Sequence, residues 1–96
     1  MTKLDINWAM WTEQATEWLS AYIQVNTVNP PGNETLACDF LGKILDDEKI
    51  SYDLYDPGHD RATLVATLKG DGSRGKPLIL LNHTDVVPFE TDKWTV

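Results

Sequence analysis

One cysteine, few basic residues and no long apolar run set the first limits on this chain. Cys38 by itself cannot close an internal disulfide, which accords with a reducing compartment and leads us to expect a cytoplasmic protein. Lys and Arg total 8 against 15 Asp and Glu, a formal net charge of -7. Phosphate backbones and anionic membrane surfaces both reward clustered cations, so neither nucleic acid nor membrane is expected as a partner. No apolar stretch approaches the roughly 20 residues needed to cross a bilayer. Met1 to Asn7 include an acid and lack an apolar leader core, so no signal peptide is expected. What is present is ordinary globular composition, 42% hydrophobic and 24% charged. At 96 residues the chain makes at most one small domain with a marginal core.

The hydrophobic periodicity predicts a long amphipathic helix from about Asn7 to Val25. Trp8, Trp11, Ala15, Trp18, Leu19, Tyr22 and Ile23 recur at steps of three and four, as on a helix packed against a sheet. Asn29-Pro30-Pro31-Gly32 then breaks the helix, because two prolines forbid its continuation and the glycine permits a sharp turn. Asn33 is placed to cap a second helix to about Glu48, with Glu34 in its first turn. Its buried side would be Leu36, Ala37, Phe40, Leu41, Ile44 and Leu45, and Cys38 reads as a small packing residue rather than a nucleophile. Asp46, Asp47 and Glu48 oppose the helix dipole, which predicts fraying at that end.

Three strands should follow. Ile50 to Tyr55 alternates like a half-exposed strand, and the turn Pro57-Gly58-His59-Asp60 leads to an antiparallel partner over Ala62 to Lys69. A polar loop, Gly70 to Lys76, precedes Pro77 and the run Leu78-Ile79-Leu80-Leu81. Four apolar residues without alternation indicate a central strand covered on both faces. The expected class is therefore α/β: two helices, then three strands of a mixed sheet.

The chemistry-bearing residues come next, in Asn82-His83-Thr84-Asp85-Val86-Val87-Pro88. Loops at the carboxyl ends of buried strands face a crevice, where catalytic groups gather. In extended backbone His83 and Asp85 point to one side, so the carboxylate can accept a hydrogen bond from one imidazole nitrogen. The other nitrogen is then left deprotonated, as a zinc ligand must be. Spacing alone fits either such a role or a structural histidine; the place after the apolar run favours a metal or acid–base role. His59, in a Pro-Gly turn, reads as a solvated turn residue, and Glu90 and Asp92 as solvated loop acids.

The stretch Leu80-Leu81-Asn82-His83-Thr84-Asp85-Val86-Val87-Pro88, followed by Trp94, resembles the first metal-ligand motif of the M-twenty metallopeptidase family. That family includes acetylornithine deacetylase, succinyl-diaminopimelate desuccinylase, aminoacylases, carboxypeptidases and dipeptidases. The first helix and Val25 to Glu34, with its Pro-Pro-Gly turn, are similar to the family's opening helix and turn. The resemblance spans nearly the whole chain. It implies the N-terminal part of a three-layer α/β/α zinc-peptidase-like catalytic domain over residues 1–96. It further implies that His83 binds zinc and that Asp85 orients it, a residue commonly counted among the catalytic ones.

In such enzymes two zinc ions polarise an amide carbonyl and activate a bridging water, and a glutamate takes its proton. Cobalt or manganese can replace one zinc. The substrate would be an acylated amino acid or a peptide. The family's bridging aspartate, Glu-Glu pair, later carboxylate, final histidine and lid domain have no counterpart here. Residues 1–96 alone are thus expected to be inactive, to hold no zinc tightly and to self-associate through an uncovered strand edge. The other reading is a non-catalytic protein-interaction module using the Trp-rich helix or that edge.

Overall fold

A computed structural model describes residues 4–95 and shows a mixed α/β chain of two helices and a two-stranded antiparallel sheet. Met1 to Lys3, on which part of the leader expectation falls, lie outside the described residues. Helix α1 spans Trp8–Ile23, and Asn7 caps it by accepting a hydrogen bond from the Met10 N–H at 3.1 Å. Helix α2 spans Glu34–Asp47. Strands β1, Tyr52–Tyr55, and β2, Thr63–Ala66, pair from Tyr52↔Ala66 to Tyr55↔Thr63. A short 3₁₀ turn covers Thr91–Lys93. No helix among the described residues is long and apolar enough to cross a membrane.

The ends of α2 close differently from expectation. Asn33 adopts the left-handed conformation, φ 53°, and its side chain makes no cap bond. The Asp60 carbonyl, carried in by the loop before β2, accepts from the Thr35 N–H at 3.1 Å instead. A backbone group from another segment has taken the cap's task, tying the start of α2 to the hairpin. At the other end the helix closes after Asp47 in a defined turn. Lys49 turns left-handed, φ 58°, while the Lys49 and Ile50 N–H groups donate to the Asp46 and Leu45 carbonyls. That is a Schellman closure, and it satisfies the carbonyls that an unfavourable dipole alone would leave open.

Helix α2 lies on both strands; its fully buried apolar positions are small residues, while Phe40, Leu41, Ile44 and Leu45, expected on the buried side, are only partly buried. Ala37, Cys38 and Gly42 are buried on the helix and Ala62 beside β2, whereas Leu36 is half exposed. Gly42 has a specific reason: a Cβ there would stand 2.8 Å from Oη of Tyr52, whose ring crosses the helix at that point. The Tyr52 hydroxyl donates to Asp46 Oδ2 at 3.2 Å, fastening β1 to the last turn of α2. Cys38 is a packing residue, as expected; its thiol faces the Ala62 carbonyl at 3.5 Å, and burial pushes its pKa up. Among the described residues no large side chain is fully buried.

Two expectations meet a different arrangement. Helix α1 does not pack on the sheet: Trp8 is 70% exposed and Ile23 71%. It meets α2 through the Tyr22 and Phe40 rings, 5.8 Å between centroids, and stacks Trp11 near Trp18 on its own surface. A two-stranded sheet is about 10 Å wide and offers one face room for a single helix, which α2 takes, although Leu54 and Val65 stay exposed. The expected third strand is likewise unpaired. Leu78 to Leu81 form no ladder and are exposed, from 81% at Ile79 to 92% at Leu81. The radius of gyration, 16.7 Å, reflects these outlying segments; a compact chain of this length would have about 13 Å.

Candidate functional site

The site is built where two distant segments run side by side. The chain leaving α1 and the chain following Leu81 form a parallel bridge between Val28 and Val86. The Asn29 N–H donates to the Val86 carbonyl at 2.8 Å, and the Val86 N–H to the Thr27 carbonyl at 3.1 Å. Side chains extend the seam: the buried Thr27 hydroxyl donates to the Thr84 carbonyl at 2.6 Å. Two residues beyond Thr27, the Asn29 amide donates from Nδ2 to Asp85 Oδ2 at 3.0 Å.

Asp85 also faces His83. The imidazole Nδ1 lies 3.1 Å from Asp85 Oδ1 and 2.8 Å from the Asp85 carbonyl oxygen. Both neighbours are acceptors only, so Nδ1 carries a proton and, of the two neutral tautomers, the one favoured here keeps its lone pair at Nε2. The pairing expected from the His-x-Asp spacing is thus present. The His83 side chain is 84% exposed and that of Asp85 31%, so the outward part of the ring meets solvent. Hydrogen bonds from Asn29 and then His83 hold the Asp85 carboxyl below the usual carboxylate range, against the opposing effect of burial.

Beneath this seam the Pro-Pro-Gly turn is closed by the Gly32 N–H donating to the Val28 carbonyl at 2.8 Å. Gly32 sits at φ +102°, and a Cβ there would meet Oε2 of Glu34 at 2.8 Å and Nε of Arg61 at 2.9 Å. Those two atoms form a 2.6 Å ion pair under the turn, with the Glu34 side chain 10% exposed. The Arg61 guanidinium holds the Glu34 carboxyl low, while the nearby Asp85 charge acts in the opposite direction. So the start of α2, the loop before β2 and the His-x-Asp segment share one polar junction.

The other titratable residues lie elsewhere. His59 is exposed in its turn at φ 61°, as expected of a solvated turn residue. Glu90 and Asp92 are also exposed, and Glu90 pairs with Lys93. A zinc site takes about three protein ligands. Among the described residues no three His, Cys, Asp or Glu side chains gather to hold a metal ion. The donor set therefore fits one corner of a zinc site, His83 Nε2 with Nδ1 oriented behind it, and not a whole one.

Sequence reasoning missed Asn29, Thr27 and the Glu34–Arg61 pair. No local pattern marks them, since each works across a long separation, 56 positions for Asn29 and Asp85. The one available signal was that the Pro-Pro-Gly turn and the His-x-Asp segment belong to the same resemblance. No family model, curated protein or solved structure matches the chain.

Proposed function

We propose that this chain forms the N-terminal part of the catalytic domain of a zinc-dependent amide or peptide hydrolase of the M-twenty kind. The observation that carries the reading is the Asn29–Asp85–His83 chain of hydrogen bonds, which joins the two motifs of the resemblance at one point. In the proposed enzyme His83 is a zinc ligand through Nε2, and Asp85 orients it through Nδ1. Bound zinc would supply Lewis-acid polarisation of an amide carbonyl and a water of lowered pKa. The residues of this chain fix the tautomer, aim the ring and anchor its carboxylate to the turn after α1. The substrate class is an acylated amino acid or a peptide. In the complete three-layer α/β/α domain Leu78 to Leu81 become a covered central strand, which accounts for an apolar run that lies bare here. By itself the chain hydrolyses no amide and holds zinc weakly, because one imidazole is a third of a site.

The same exposed surface favours one other reading, a non-catalytic module that binds protein through Trp8 and Trp11 or through Leu78 to Leu81. The coding sequence past Val96 separates the two. A Gly-rich aspartate motif followed by a Glu-Glu pair is expected for the hydrolase. A stop codon after Val96 in a stably expressed gene would overturn it in favour of the module. Zinc-dependent hydrolysis of an acylated amino acid by the purified chain would overturn the inactivity of residues 1–96.

A further inference from the structure

We infer that Asn29 is a positioning residue for His83, acting through Asp85 from the far side of the parallel seam. The geometry runs in one line. Asn29 is fixed by its backbone, whose N–H donates to Val86 at 2.8 Å, so its side chain is presented from a pinned position. Its amide holds Oδ2 of Asp85 at 3.0 Å, which leaves Oδ1 for the imidazole at 3.1 Å. An aspartate can rotate about χ2 and offer either oxygen; occupying one with a fixed donor removes that freedom. The Thr27–Thr84 hydrogen bond of 2.6 Å clamps the backbone between His83 and Asp85, so both ends of the pair are held by the turn after α1. His83 itself is 84% exposed and has little packing to hold its ring. Its orientation therefore depends on this polar chain rather than on neighbours pressing against it. The purpose of that orientation rests on the reading of His83 as a zinc ligand; the chain of positions does not.

The test uses the full chain, metal-free, with ¹⁵N-labelled histidine at a pH where the rings are neutral. Long-range proton–nitrogen spectra give the ratio of Nδ1–H to Nε2–H tautomers for His83, and exposed His59 serves as the free-ring reference. In the native chain His83 should be mostly Nδ1–H. Asn29→Asp keeps the shape, removes the donor and sets a second carboxylate against Asp85. Asn29→Ala removes the side chain. In both, the His83 ratio should fall severalfold toward that of His59, while the amide spectrum of β1 and β2 stays native. An unchanged ratio in either well-folded variant overturns the inference. A measurement on the native chain stands even if both variants misfold: the Asn29 side-chain amide protons should exchange more slowly than those of Asn82. Equal rates overturn it. Adding zinc alone then separates the two claims, because a His83 signal indifferent to zinc removes the ligand reading and leaves the tautomer result intact.

Discussion

The polar junction that Asn29 makes with Asp85 and the apolar run Leu78 to Leu81, which leads into His83 and Asp85, are opposites in what holds them. At the junction, backbone and side-chain hydrogen bonds of 2.6–3.2 Å tie together the turn after α1, the start of α2, the loop before β2 and Asp85. Leu78 to Leu81, a few residues before His83, contact little and face solvent. Apolar burial usually dominates folding, and the long apolar side chains of this segment would normally be its first contributors. Here the reverse holds. The only buried hydrophobic residues are the small Ala37, Cys38 and Ala62, among the described residues, and the candidate site is placed by directional polar bonds.

The largest effect is expected at Gly32. Gly32→Ala puts a side chain at φ +102° into the Glu34–Arg61 pair, both oxygen and nitrogen within 3 Å of the new carbon. A left-handed position with no room costs about 2 kcal/mol or more, and the urea midpoint should fall accordingly. A midpoint equal to that of the native chain would show that the turn does not join the two regions.

Acid should loosen the junction next. Glu34 and Asp85 both have folded carboxyls held below the usual range, by Arg61 and by Asn29 with His83 respectively. Their contribution is therefore complete above the unfolded carboxylate values, roughly pH 4, and is lost as pH falls through the lower folded ones. Urea midpoints should hold steady at neutral pH and drop on acidification below that range, less steeply in Glu34→Gln. A stability that rises on acidification would contradict the sign.

The smallest effect on stability belongs to the apolar run. Leu80→Lys should change the folding free energy by no more than about 0.5 kcal/mol, as for other exposed positions. If the exposed apolar side chains of Leu78 to Leu81 drive self-association, this substitution should weaken it. Sedimentation at high concentration should find the native chain associated and the variant less so. A strictly monomeric native chain would mean that Leu78 to Leu81 are protected.

Much of the fold could be read in advance where the signal is local. The periodic Trp and Leu positions located α1 to within two residues, and the Pro-Pro-Gly break placed the start of α2. The β1–β2 hairpin followed from alternation on either side of a Pro-Gly turn, although both strands are shorter than their alternation suggested. What could not be read depends on partners. Apolar stripes on α1 and over Leu78 to Leu81 say that a surface wants cover and do not say what provides it. Asn33 had the right chemistry for a cap and lost the position to the Asp60 carbonyl, a group no local window contains. At the site, His83 and Asp85 were legible because they are two residues apart. Asn29 was not, because its partner lies 56 positions away across a seam only the folded chain creates.

In the proposed hydrolase His83, oriented from behind by Asp85, presents a nitrogen ready for a metal, and the turn residue His59 does not. Titrating the chain with zinc while recording the ¹⁵N signals of both rings tests this most directly. A progressive zinc-dependent shift is expected at Nε2 of His83, weak and in fast exchange, absent at His59 and lost in Asp85→Ala. Equal response of the two histidines, or none at His83, would contradict it.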